Sequence, residues 1–165
     1  MGKEKQRSLT ILNDVHLSVN GVFDINKVRE AIAGVLLAKK FFMYEKGSSV
    51  RETPEGREYE AEYIAFKKID DYVKCVITVK FLILRYNEVE VDGKTLGSGL
   101  ARVGFTAKMD KDWKEKFGSK GFKNMLREIY EKYIIPDKLL SREVQIYKET
   151  VDVMNAAKAV MEMNQ

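Results

Sequence analysis

The longest near-continuous apolar run outside the first predicted helix spans residues 72–86. Side chains alternate between the two faces of a strand, so Val73, Ile77 and Phe81 share one face while Val76 and Leu84 share the other. Both faces are therefore largely apolar, and such a strand needs cover on both. We predict that this segment is the central strand of a sheet and that the rest of the chain covers it.

Alternating apolar and polar positions flank this strand on both sides. They predict antiparallel strands over residues 58–69 and 100–109, with a third strand piece around Val89 and Val91 between the central strand and the latter. Asp70-Asp71 turns the first of these strands into the central strand, and Asp92-Gly93 predicts a hairpin after the third piece. The core of the sheet, residues 58–109, is thus predicted to be a meander. Residues 9–19 predict a further strand in two pieces around Asn13-Asp14, and residues 41–45 a short strand followed by a loop at 47–49.

Helical periodicity marks three other segments. Residues 25–40 carry one apolar stripe behind Asp24, a suitable N-cap, and residues 110–117 predict a short helical turn. A stronger helix signal begins near Ser119, and Pro136 must interrupt it. A last helix of about 25 residues is predicted to start near Asp137. The C-terminal helical region, residues 119–163, therefore has two parts.

The last helix has an apolar repeat of seven residues. Such a repeat keeps one face against a partner helix along its length. Lys158 interrupts the repeat. The partner is the helix before Pro136, the first helix or a second copy of the chain, so a homodimer is one of three alternatives. The candidate oligomer residues are Leu140, Val144, Tyr147, Val151, Met154 and Met161.

These elements predict an α+β fold in a single domain, residues 1–165. A curved antiparallel β-sheet packs with one helix from the N-terminal half and a long two-part C-terminal helical region. The order of elements resembles the helix-grip arrangement of lipid- and ligand-binding domains, although no motif residue carries the likeness. The resemblance implies a carrier of an apolar small molecule. Its pocket would be lined by Tyr63, Ile77, Val79, Phe81, Val103 and Phe105.

Composition narrows the class of protein. The chain has 45% hydrophobic and 33% charged residues, as expected for a globular protein, and no apolar run long enough for a membrane helix. Its one cysteine, Cys75, lies in the predicted central strand and cannot form an intrachain disulfide. We therefore expect a cytoplasmic protein without a membrane partner. Abundant Lys and Glu with few Gln residues suit a thermophile.

Motifs for chemistry are incomplete. Gly93-Lys94-Thr95 ends like a phosphate-binding loop, but Glu88 stands where that loop needs its first glycine. His16 is the only histidine and cannot build a zinc site without a cysteine cluster. Glu58, Glu60 and Glu62 share a strand face that we interpret as solvated. We predict no catalytic residue, no metal, no cofactor and no enzymatic activity.

Charge is concentrated in one segment. Residues 108–127 hold seven basic and three acidic residues, a net charge of +4 in a chain whose total is +4. This composition predicts either a solvated lysine face or a surface that docks on RNA or a ribonucleoprotein. Trp113, in this segment, either plugs the end of the sheet or takes part in that interaction. The candidate polyanion-binding residues are Lys108, Lys111, Trp113, Lys114, Lys116, Lys120, Lys123 and Arg127.

The sequence therefore predicts a non-enzymatic binding or assembly module, with RNA or a ribonucleoprotein as its first candidate partner. The apolar-ligand carrier and an oligomeric protein-interaction module that uses the last helix are the alternatives.

Overall fold

The computed structural model describes residues 7–117 and 121–162. In this part of the chain five strands and three α-helices follow one another, with a π-helical segment, Tyr130–Ile134, between the last two helices. The strands are β1 (Ser8–Phe23), β2 (Phe42–Thr53), β3 (Gly56–Lys68), β4 (Val73–Val91) and β5 (Lys94–Lys111). The helices are α1 (Ile25–Ala38), α2 (Phe122–Ile129) and α3 (Pro136–Glu162).

The five strands described form one antiparallel sheet in the order β1-β5-β4-β3-β2. The prediction of an α+β fold with a meander, one helix in the first half and a long C-terminal helical region is confirmed. β4 is the third of the five strands, so the prediction of its central place is confirmed as well.

Both long helices lie on the same face of the sheet. On that face Val73, Cys75 and Ile77 are fully buried, in one cluster with residues of α1 and α3. On the opposite face Val76 and Leu84 are only partly buried. The expectation that β4 is covered on both sides is therefore wrong, because an antiparallel sheet can leave one face open to solvent.

Helix α1 begins as its sequence predicts. The carboxylate of Asp24 accepts hydrogen bonds from the amides of Asn26 and Lys27, at 3.1 and 3.2 Å. Val28, Ile32 and Leu36 form its buried stripe. The N-cap prediction is confirmed, and α1 packs against both the sheet and α3.

Three local predictions were wrong. β1 is one strand that absorbs Asn13-Asp14 as bulges, with Asp14 at a φ of 46°. The predicted loop at 47–49 lies inside β2, where a bulge after Glu45 keeps the pairing with β3. Residues 112–117 form turns without a helix. Glycine and asparagine suggested breaks at the first two places, whereas pairing with a neighbouring strand decided the outcome.

The C-terminal region divides where proline predicts it. Pro136 is the first residue of α3, a position where its missing amide costs no hydrogen bond. Before it, the helix widens into the π-helical segment, whose neighbour Ile135 donates its amide to the Tyr130 carbonyl at 3.1 Å. The predicted start near Ser119 and the predicted end at residue 163 lie outside the described residues.

Candidate functional site

Helix α3 presents two different faces. Its buried face packs on the sheet and on α1 and consists of Leu139, Ile146, Thr150, Val153, Ala157 and Met161. Of the six predicted oligomer residues, Met161 lies in this core at 4% exposure. Met154 is half-buried and packed against the core, and Val151 has intermediate exposure. The other three, Leu140, Val144 and Tyr147, are 59%, 45% and 50% exposed.

These three exposed residues line a groove between α3 and the sheet. The groove has a volume of about 340 Å³, and its other wall is the start of β1, with Leu9, Thr10 and Ile11. Leu9 is itself 40% exposed. In the described part of the sheet β1 pairs with β5 alone, so it is an edge strand. An apolar helix face and an apolar strand edge therefore meet here and are open to solvent.

The same helix face has charged residues at its margins. The heptad positions of this face can be assigned from its apolar residues, with Val144 and Val151 at a and with Leu140 and Tyr147 at d. Glu143 then occupies position g, and Lys148 occupies position e. Lys148 is exposed and Glu143 lies in the groove wall. Neither has an ion-pair partner among residues 7–117 and 121–162. Both charges are therefore available to an outside partner.

A second exposed apolar stripe lies immediately before α3. It runs along α2 and the π-helical segment and consists of Phe122, Met125, Leu126, Ile129, Tyr133 and Ile134, which are 39% to 68% exposed. The opposite side of this segment is held to the sheet by an aromatic cluster in which Tyr130 meets Tyr72 and Phe117 at ring-centroid distances of 5.6 and 5.2 Å.

Two of the predicted polyanion-binding residues are engaged inside the fold. Lys111 donates to the Glu131 carboxylate at 2.7 Å, and the Arg127 Nε lies 3.8 Å from the other oxygen of that carboxylate. Arg127 is 1% exposed. Tyr72 also donates to Glu131, at 2.5 Å, and burial together with this bond raises the pKa of Tyr72. These two cations therefore lie where the π-helical segment attaches to the rest of the fold.

Trp113 and Lys114 also have partners within the chain. The indole Nε1 of Trp113 donates to the Asp70 carbonyl at 2.8 Å, and the Lys68 and Lys114 ammonium groups lie 4.6 and 5.2 Å from the ring centroid. Lys114 is also paired with the Asp71 carboxylate. The ring closes the end of the sheet beside the turn that precedes β4.

Three of the predicted basic residues are exposed and have no ion-pair partner in the described part of the chain: Lys108, Lys116 and Lys123. Lys108 lies on the open face of the sheet, in register with Val76 of β4, whereas Lys123 is on α2. Lys120 lies outside the described residues. The basic charge of the segment is thus divided between ion pairs within the chain and separate parts of the surface.

The six predicted pocket residues lie together on the buried face of the sheet, and none is more than 6% exposed. Tyr63 and Phe81 meet edge to face at 5.7 Å. The cavity beside Phe81 and Val103 measures about 10 Å³. That is room for about one water molecule, whereas small-molecule sites occupy roughly 300–1,000 Å³. In this structure the residues fill the space between sheet and helices with their own side chains.

Residues 7–117 and 121–162 contain no group of three or more His, Cys, Asp or Glu side chains placed to hold a metal ion. Of the helices described, none combines the length and the apolar character needed to cross a membrane.

Comparison with known proteins gives a weak structural likeness. No family model matches the chain. No curated protein matches it either. Among solved structures it is similar to the di-domain ARO/CYC StfQ from the steffimycin biosynthetic pathway, at 7% identity and a TM-score of 0.28. The likeness covers 98% of this chain and 55% of that one, so the chain spans about half the length of that protein. A TM-score of this size is no basis for transferring a fold or a function.

Sequence reasoning missed the part that β1 has in the exposed apolar surface. The alternation of Leu9 and Ile11 predicts a strand but does not tell an edge strand from an inner one. A usable signal was present, since residues 8–13 carry no charged residue and no proline, which are common means of protecting an edge.

Proposed function

We propose that this chain is a non-enzymatic assembly module that pairs with a second copy of itself through the first half of α3. The observation that carries the proposal is the exposed row Leu140, Val144 and Tyr147 beside the groove against β1. Exposed apolar surface of this kind commonly marks a protein–protein interface.

The spacing of the row favours a helical partner. The three residues of the row and Val151, the next apolar residue on this face, are separated by intervals of four, three and four residues. This is the spacing of a coiled-coil seam. β-Branched residues at position a with Leu at position d favour a parallel pair of helices. Here Val144 and Val151 occupy position a, and Leu140 occupies position d. α1 and the sheet cover the opposite face of α3, so the row is free for a second copy.

The charges at the margins favour the same arrangement. In a parallel pair of helices, position g of one helix lies beside position e of the next heptad on the other helix. Glu143 of one copy would then face Lys148 of the second, and the two-fold axis would repeat this pair on the other side. Leu9 and Ile11 would border the same interface, and side chains of the second copy would enter the groove.

The first experiment replaces apolar residues of the row. Val144→Glu and Tyr147→Glu place charges within the proposed seam, so we expect each to raise the dimer dissociation constant roughly tenfold or more, since a buried unpaired charge is costly. Sedimentation equilibrium over a range of concentrations measures the change. Leu37→Glu is the matched control, because Leu37 is a 66% exposed residue of α1 outside the row. A wild-type chain that stays monomeric at high concentration would contradict the proposal.

The second experiment tests orientation. Glu143→Lys and Lys148→Glu each place like charges together in the parallel arrangement, so each single variant should weaken the dimer. The double variant restores opposite charges and should recover most of the affinity. If the double variant is no better than the single variants, the parallel arrangement is wrong.

RNA or a ribonucleoprotein as the partner stays a prediction. It now depends on Lys108, Lys116, Lys123 and on Lys120, because Lys111 and Arg127 are paired with Glu131. Salt-dependent RNA binding that disappears when Lys116 and Lys123 are reversed would support it over self-association. The apolar-ligand carrier would require the filled interior of the sheet to open.

A further inference from the structure

The open face of the sheet, which points away from α1 and α3, carries a trough with a volume of about 610 Å³. Two rows of paired residues cross all five strands at this point. The first row consists of His16, Gly104, Lys80, Glu62 and Gly47. The second row consists of Ser18, Arg102, Leu82, Glu60 and Ser49.

Two positions of the first row are glycines. Gly104 and Gly47 contribute no side chain, and a Cβ atom built on Gly104 would meet the Asp14 Oδ1 at 2.9 Å. The bulge in β1 holds Asp14 there, since its amide donates to the Thr106 hydroxyl at 3.1 Å. A larger side chain at position 104 would therefore occupy the space that Asp14 uses.

The acidic residues of the trough lie beside basic groups. Glu62 pairs with Lys46 at 3.3 Å, and Glu60 pairs with Arg51 at 2.7 Å. Asp14 lies 3.6 Å from the Nδ1 of the His16 ring.

Two other cations in the trough form no ion pair with its acidic residues. Lys80 and Arg102 are exposed and have no ion-pair partner among residues 7–117 and 121–162. Arg102 is in register with Ser18 and Leu82, which carry no charge. Lys80 is in register with Gly104 and with Glu62, whose carboxylate is already paired with Lys46. Diagonal neighbours on adjacent strands lie about 7–8 Å apart, so these two long side chains can reach one ligand.

We propose that the trough binds a small organic phosphate, with Lys80 and Arg102 as the residues that contact the phosphate group. A guanidinium group matches phosphate with two parallel hydrogen bonds, and an ammonium group adds a compact charge. The volume of the trough is within the roughly 300–1,000 Å³ of small-molecule sites. The site does not depend on self-association, because it lies on the face of the sheet opposite α3.

Calorimetric titration with inorganic pyrophosphate tests the proposal, with citrate as a second probe of similar charge. We expect saturable pyrophosphate binding that Lys80→Gln or Arg102→Gln weakens by roughly tenfold or more, as expected for the loss of a charge-assisted hydrogen bond. Lys94→Gln is the matched control, since Lys94 is an exposed lysine of β5 outside the trough. Asp14→Asn should tighten binding, because it removes a negative charge from the wall.

No saturable binding of pyrophosphate at physiological ionic strength would overturn the proposal. Binding that is unchanged in Lys80→Gln and Arg102→Gln would overturn it as well, and tighter binding of citrate than of pyrophosphate would contradict the phosphate class. Both replaced residues are exposed, so thermal melts like that of the wild type will show that the variants are folded.

Discussion

Asp70 connects the turn before β4 to helix α3. Its carboxylate accepts from the amides of Tyr72 and Val73, both at 2.8 Å, and from the Arg142 side chain at 3.1 Å. Burial alone would raise the pKa of Asp70. The two amides outweigh that effect, together with the nearby Lys138 and Arg142, and they hold the pKa below its usual value of 3.8.

This lowered pKa makes stability depend on pH. The folded state prefers the charged carboxylate, so the contribution of Asp70 is complete above the unfolded-state pKa and is lost as the pH falls through the folded-state pKa. Asp70→Asn should therefore lower the free energy of unfolding at pH 7, and the difference from the wild type should shrink below the usual aspartate pKa. Urea unfolding of the wild type and of Asp70→Asn, at pH 7 and at a pH below the usual aspartate pKa, measures this difference in the free energy of unfolding. A difference that stays constant down to acid pH would contradict the assignment.

At the level of elements, two glycines differ in whether the structure has room for a side chain at their position. Gly99 in β5 has a φ of 143°, and a Cβ atom there would lie 2.5 Å from the Leu84 carbonyl oxygen. This close approach follows from the bulge in β4, where Arg85 has a φ of 53°. Gly34, by contrast, is exposed on α1 and has no atom within 4 Å of a built Cβ.

The two positions predict alanine substitutions of opposite sign. Gly99→Ala should destabilise the protein by roughly 2 kcal/mol or more, because the strained backbone and the clash add. Gly34→Ala should stabilise it by about 0.5–1 kcal/mol, since alanine in a helix interior loses less chain entropy than glycine. Urea unfolding of the two variants beside the wild type decides the matter, and a neutral Gly99→Ala would show that the bulge can rearrange.

At the level of the whole molecule, the sheet and the long helices close on each other. The cavity of about 10 Å³ beside Phe81 and Val103 predicts that fatty acids and sterols do not raise the thermal midpoint. A ligand at a hundred times its dissociation constant would stabilise the folded state by about 2.7 kcal/mol, which is readily measured. A clear shift that Val103→Phe abolishes would instead show that the interior opens to admit a ligand.

Local patterns in the sequence predicted most of the elements and their order, but the helical turn predicted at residues 110–117 was wrong. The patterns that act within a few residues are the alternation along β3 and β5, the apolar run of β4, the Asp24 cap and Pro136. They predicted the meander, the start of α1 and the division of the C-terminal region. The bulges in β1 and β2 were missed, because a strand that is paired along its length can carry asparagine or glycine without ending.

The exposed surfaces were decided by the tertiary structure. The seven-residue repeat of α3 is the same along the sequence, yet α1 and the sheet bury Met161 and leave Leu140 and Val144 free. Lys111 counts as a free cation until the fold brings Glu131 to it. Lys80 and Arg102 become neighbours only through the register of β4 with β5. Each of these outcomes depends on segments far apart in the chain, which periodicity and composition do not relate to one another.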